Sequence, residues 1–196
     1  MTLILASGSA ARRQMLQAAG LDFAVELPHM DEQAAKASLR TEGLRARDQA
    51  DALAELKALS VSRKHAGLVI GADQMLAVED EVLDKPKDAA EARQHLLRLR
   101  GRTHELITAA VIARDGEPIW RHIDTPKLKM RAFSDDFLDD YLERAGENVL
   151  RSVGAYQLEG LGAQLFERVE GDFFSVLGLP LLPLLAFLRE HGIVRA

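Results

Sequence analysis

The fourteen-residue stretch from Leu3 to Leu16 constrains the fold of this chain most. Leu3-Ile4-Leu5-Ala6 is an apolar run of strand length. It breaks at Ser7-Gly8-Ser9, and apolar residues then return at helical spacing in Met15, Leu16 and Ala19. A buried strand feeding a helix through a small-residue turn commits the chain to alternating α and β structure, and Ser7 or Ser9 can cap the helix. Arg12 and Arg13 fall in the first helical turn, where the dipole makes a cation unfavourable by roughly 0.3–1 kcal/mol each. An anion resting on the free N–H groups reverses that sign, so the stretch reads as a phosphate seat. The commoner arrangement for such a stretch taken alone is a capped surface helix with two solvated arginines.

With 196 residues the chain is read as one domain, with room for two lobes and a substantial core. The net charge of −5 argues against extended nucleic-acid binding but leaves room for a local basic pocket. Cysteine is absent, which excludes disulfides, thiolate chemistry and Cys-ligated zinc and fits a reducing cytoplasm. No basic region precedes the short apolar run at the start, so no signal peptide is expected. The longest apolar stretch, Val176 to Leu188, is broken by Gly178, Pro180 and Pro183 and falls short of a membrane span. A soluble protein is expected.

Gly20 stops the first helix, and Phe23 to Leu27 reads as a second strand ending at Pro28. Residues 29–44 are polar and mixed. A long helix is expected from about Leu44 to Lys64, with Ala46, Ala50 and Leu53 on one stripe. Lys57 continues that stripe, so it either snorkels outward, the commoner outcome, or points into a polar site. Gly67-Leu68-Val69-Ile70-Gly71 is a buried strand with Ala72-Asp73-Gln74 at its C-terminal end. Met75 to Val78 and Val82-Leu83 suit a hairpin around Glu79-Asp80-Glu81. Asp88 and Glu91 cap a helix that ends near Gly101. His104 to Arg114 is apolar on both faces, as in a central strand; Asp115-Gly116 turns the chain, and Glu117 to Arg131 returns as a more polar strand. A helix capped by Ser134 follows. Residues 146–163 are irregular, Leu165 to Val169 is a last strand, and a final helix runs from Pro180 to Gly192. The expected class is α/β with a mixed sheet.

Asp73 is the leading candidate for chemistry, because an acid just past a buried strand is where α/β proteins build sites. It can bind a divalent cation or take a proton from attacking water, or it can simply close a turn. Asp31-Glu32 and Glu159 are further loop acids, and Lys57 and Lys85 are candidate phosphate cations, with Pro86 stiffening the chain after Lys85. The Gly101-Arg102-Thr103-His104 turn offers another anion contact, though a lone His104 is more often structural. His29, His65, His95, His122 and His191 show no metal-ligand spacing, and no Walker A loop, GxGxxG fingerprint or GxSxG elbow is present. Cations with carboxylates able to hold a metal suit a phosphorylated small molecule. Spacing alone does not show that they converge.

Taken in order, Leu5 to Leu16, Asp31-Glu32, Lys57, Gly71-Ala72-Asp73-Gln74, Lys85-Pro86, Gly101 to His104 and Gly171-Asp172-Phe173-Phe174-Ser175-Val176-Leu177-Gly178-Leu179-Pro180 resemble the Maf family over almost the whole chain. The resemblance implies a cytoplasmic nucleoside-triphosphate pyrophosphatase that cleaves between the α and β phosphates with a divalent metal, Mg or Mn. It implies a bent mixed sheet flanked by helices, with two lobes and a cleft between, similar to the inosine-triphosphate pyrophosphatases. A homodimer is an expected state, and no membrane or extended nucleic acid is an expected partner. Carried across, Asp73 is the proton acceptor and a metal ligand with Glu32, while Ser7, Arg12, Lys57 and Lys85 hold the triphosphate.

The dTTP/UTP branch of the family has arginine where Ala11 stands, threonine at Gln74 and glutamine at Glu159. Gln74 and Glu159 are instead similar to the branch acting on 7-methyl-GTP, where a carboxylate suits guanine N–H donors or a positively charged ring. Ala11 supplies no polar contact. The rival reading is a non-catalytic nucleotide- or RNA-binding regulator, since the family is also linked to inhibition of septum formation. The acidic net charge disfavours that reading, and Asp73, Lys57 and Lys85 together favour catalysis.

Overall fold

A computed structural model describes residues 2–79 and 81–195. In chain order its strands are β1 (Leu3–Ala6), β2 (Ala24–Glu26), β3 (Leu68–Val78), β4 (Glu81–Leu83), β5 (Thr103–Arg114), β6 (Glu117–Asp124), β7 (Lys127–Met130) and β8 (Phe166–Glu170). Its helices are α1 (Ala10–Ala18), α2 (Glu32–Thr41), α3 (Ala46–Ser62), α4 (Ala89–Leu99), α5 (Asp135–Ala145), α6 (Phe173–Val176) and α7 (Leu181–Glu190), and short 3-10 segments occupy much of 146–165. The chain divides into two compact units. The first comprises Met1–Gln74, Thr108–Asp124 and Phe173–Ala196; the second comprises Met75–Ile107 and Thr125–Asp172.

In the first unit β1 lies between β2 and β3 and is parallel to both, with Ile4 opposite Ala24 and Val69; β5 follows β3, and β6 pairs antiparallel with β5. Both faces are covered, so β1 and β3 as far as Ala72 carry no polar side chain. Leu3, Leu5, Leu68, Ile70 and Ala72 pack with Met15, Leu16 and the α7 residues Leu184 and Leu188. Ile4, Ala6 and Val69 pack on the opposite face with Val61 of α3. The mixed sheet flanked by helices is as expected. The turn at Asp115-Gly116 also takes the expected form, with φ of 54° and 82° at its two central residues.

Three elements differ from expectation. The polar segment after Pro28 contains α2, whose N-cap is Asp31, accepting from the Ala34 N–H at 2.9 Å. Its sequence of strong helix formers was the available signal. β3 continues to Val78, through Asp73 and Gln74, instead of ending before them. The single return strand from Glu117 divides into β6 and β7 at Thr125-Pro126, because proline has no N–H to give the ladder. The Pro126 carbonyl still accepts from Leu106 at 3.0 Å.

The second unit has the order β3-β5-β7-β8, with β4 on β3. The expected hairpin joins β3 to β4, with Leu76 opposite Leu83; Asp80 of its turn lies outside the described residues. Asp88 caps α4 by accepting from the Glu91 N–H at 2.8 Å, and Ser134 caps α5. His104 is buried, with its Nε2 2.7 Å from the Tyr156 hydroxyl, and Tyr141 donates to the Ala155 carbonyl. Burial pushes the His104 pKa down from 6.5 to about 4. The unfolded chain therefore takes up a proton that the folded chain refuses, so stability falls as pH drops from 6.5 towards 4. The expected loss across that window is about 3 kcal/mol. Urea midpoints of His104→Gln, which has no imidazole to titrate, should lack this acid sensitivity; an unchanged slope would show that other groups cause it.

Candidate active site

Alternate residues of a strand face opposite sides of its sheet, so the neighbours Asp73 and Gln74 of β3 serve two different clusters. Asp73 meets α3. That helix crosses β3 closely because Gly71 carries no side chain: a Cβ there would overlap the Ala54 carbonyl and lie 2.5 Å from the Ala58 nitrogen. The close crossing brings Lys57 to Asp73 Oδ1 at 2.6 Å and to Glu32 Oε2 at 2.9 Å. Lys57 thus points inward, the less common of its two alternatives, and is only 6% exposed against 4% for Asp73. A buried carboxylate needs a counter-charge, and this ammonium supplies it. Asp73 Oδ2 is also buried but has no hydrogen-bond partner. Glu32 accepts Lys36 at 3.3 Å as well; burial alone would raise its pKa, but the two lysines hold it below the usual carboxylate value.

The two carboxylates, one with an unsatisfied oxygen, suit a hard divalent cation. Among the described residues no group of three His, Cys, Asp or Glu side chains could hold a metal. Two carboxylate donors are of the kind a magnesium-type ion accepts when phosphate and water supply its other ligands. Asp31 is occupied as the cap of α2.

On the other face, Arg12 is 9% exposed and donates from Nε to the Gly178 carbonyl at 2.7 Å and from Nη1 to the Ala72 carbonyl at 2.9 Å and Ser7 Oγ at 3.3 Å. Burial lowers its pKa, opposed by the nearby Asp73 and Glu32 charges. The two arginines of the first turn therefore part company: Arg12 is inside, on the stripe of Met15 and Leu16, and Arg13 is exposed. Ser9 is the N-cap of α1, accepting from the Arg12 N–H at 3.4 Å. Ser7 Oγ accepts from the Ser9 N–H at 3.2 Å as well as from Arg12, which leaves the hydroxyl proton of Ser7 for donation.

Gln74 Nε2 lies 2.8 Å from Thr108 Oγ1, 3.0 Å from the Ser175 carbonyl and 3.1 Å from the Val176 carbonyl. Thr108 gives its only proton to the Ser175 carbonyl at 2.8 Å, so it must accept from Gln74. The amide is thereby oriented with its NH₂ on these acceptors. Ser175 Oγ donates to Asp124 Oδ2 at 2.6 Å. Thr108, Asp124 and Gly178 were not singled out from the sequence. Gly178, at φ +104°, carried a signal as a glycine within the Gly171 to Pro180 motif; Thr108 and Asp124 carried none.

Ala11 is half-buried on α1. Lys85 is exposed between β4 and α4, and Glu159 is exposed in a turn; both belong to the second unit. Arg102 pairs with Glu79 at 2.6 Å, and His104 with Tyr156, so these two side chains have structural partners.

The family model for "Maf-like protein" matches residues 2–191. The chain belongs to the Maf family. Among curated relatives, a Nucleoside triphosphate pyrophosphatase of Rhodospirillum rubrum is 56% identical, covering 98% of this chain and 96% of its own. One of the same description from Hyphomonas neptunium is 53% identical over 99% and 98%. A 7-methyl-GTP pyrophosphatase of Rhizobium meliloti is 49% identical over 99% and 98%. Among the described residues no helix of this Maf protein is long and apolar enough to cross a membrane.

Proposed function

We propose that this Maf protein is a nucleoside triphosphate pyrophosphatase that hydrolyses the α–β phosphoanhydride and prefers 7-methyl-GTP. Membership of the family and the names of the Rhodospirillum and Hyphomonas relatives support the activity. The observation that carries the chemistry is Asp73, buried, with Oδ1 on Lys57 and Oδ2 without a partner. Water attacks the α-phosphorus, Oδ2 receives its proton, and pyrophosphate leaves. Ser7 has a hydroxyl proton to give to a phosphate oxygen at the start of α1, where the helix dipole favours an anion. Arg12 fixes Ser7 and adds positive charge, and Lys57 and Lys85 are the cations for the triphosphate. Asp73 and Glu32 would hold a divalent metal, which supplies charge neutralisation on the phosphates when bound.

For the base, Gln74 offers an amide carbonyl as acceptor, which suits the N–H donors of a guanine edge better than a threonine hydroxyl would. Glu159 adds a carboxylate for those donors or for a 7-methylated, positively charged ring, and the Rhizobium relative bears the corresponding name. Ala11 leaves room at α1 without reading the base.

Pyrophosphate and monophosphate released from 7-methyl-GTP, dTTP, UTP, CTP and ITP with Mg²⁺ or Mn²⁺ test this reading. No turnover of any triphosphate would remove the activity, and preference for dTTP or UTP would remove the base assignment. Glu159→Gln is expected to lower the kcat/KM ratio of 7-methyl-GTP over dTTP by about tenfold or more. An unchanged ratio would take Glu159 out of base selection.

A further inference from the structure

Lys57 Nζ sits between Asp73 Oδ1 and Glu32 Oε2, the two carboxylates best suited to a divalent cation. Lys36 lies on Glu32 as well, so the two negative charges face two positive ones. A bare divalent ion entering here meets an ammonium already seated, and it gains little from carboxylates whose charge is spent. An incoming triphosphate changes the balance, because it offers Lys57 several anionic oxygens in exchange. A lysine suits such an exchange: its charge is a point on a flexible stem, unlike the guanidinium of Arg12, which is forked onto two carbonyls and a hydroxyl.

We infer that Lys57 is a built-in stand-in cation that keeps the divalent metal out of the free protein and yields the two carboxylates only when a nucleotide draws its ammonium away. Metal and nucleotide therefore bind with positive coupling, and the coupling is the same seen from either ligand. The inference rests on the proposed nucleotide chemistry for its second half. Its first half, the weak metal binding of the free protein, does not.

The test is titration of Mn²⁺ into the full chain, followed by the electron paramagnetic resonance signal of the free ion, without nucleotide and with a triphosphate whose α–β bridge is a methylene. Wild type should bind Mn²⁺ weakly alone and, once the Mn²⁺ chelated by the analogue in a protein-free titration is subtracted, at least about tenfold more tightly with the analogue. Lys57→Gln and Lys57→Met, which both remove the ammonium charge, should each bind Mn²⁺ alone at least about tenfold more tightly than wild type. Adding Asp73→Asn to Lys57→Gln should abolish that gain. Free-protein affinity unchanged by either folded Lys57 variant overturns the inference, as does a gain that survives Asp73→Asn. If neither variant folds, wild-type affinity that the analogue leaves unchanged overturns it. Should wild type hydrolyse no triphosphate while Lys57→Gln still gains Mn²⁺ through Asp73, the proposed activity falls and the stand-in role stands.

Discussion

Asp73→Asn should lower kcat by about a thousandfold, within the range a positioned general base contributes. The fold should survive. Lys57 keeps Glu32 at 2.9 Å when the Asp73 charge is gone, so no buried cation is left without a partner. The asparagine carbonyl can still accept from Nζ in place of Oδ1. What disappears is the basicity of the unpartnered Oδ2, and with it the acceptor for the proton of attacking water. KM should change less than kcat, because Ser7, Arg12 and Lys85 are untouched and Lys57 keeps its contact with Glu32. Steady-state kinetics on 7-methyl-GTP, with circular dichroism as the control for folding, measure both. Undiminished turnover would take Asp73 out of the chemistry.

Arg12→Met should cost about 3–5 kcal/mol of stability, although it nearly preserves the buried volume. The side chain joins the start of α1 to the Gly178 and Ala72 carbonyls, which are far apart in the chain, and each loses its charged donor at once. In a chain of this size the midpoint of thermal unfolding should fall by about 10 °C. Arg12→Lys should recover only part of the loss, since an ammonium cannot span the positions that Nε and Nη1 occupy. Arg13→Met should be nearly silent, because Arg13 is exposed. Equal effects at the two positions would refute the burial assigned to Arg12.

The contrast between these arginines was legible in advance. Arg12 precedes both Met15 and Leu16, by three and four residues, so it lies on their face of the helix, whereas Arg13 has only Leu16 at such a spacing and Gln17 at the other. Asp31 before Glu32, Gln33 and two alanines likewise announced α2, but the polarity of the segment concealed it. Other features had no local signal. Asp73 and Gln74 read as the end of a strand because two polar residues interrupt an apolar run. β3 continues through them because their partners come from Lys57, Thr108 and the Ser175–Val176 backbone.

The sequence by itself determined the strand, turn and helix of the first sixteen residues, the caps at Asp88 and Ser134, the Asp115-Gly116 hairpin and the family. Each is written in neighbouring side chains or in a fixed order of motifs, and each needs no knowledge of what packs on it. Only the tertiary structure decided that Lys57 turns inward, that Asp73 keeps one oxygen unpaired, and that Gln74 donates its amide N–H groups to Thr108 and the Ser175–Val176 backbone. A buried polar side chain takes its direction from the partner that offsets its lost hydration, and at each of these positions the partner is remote in sequence.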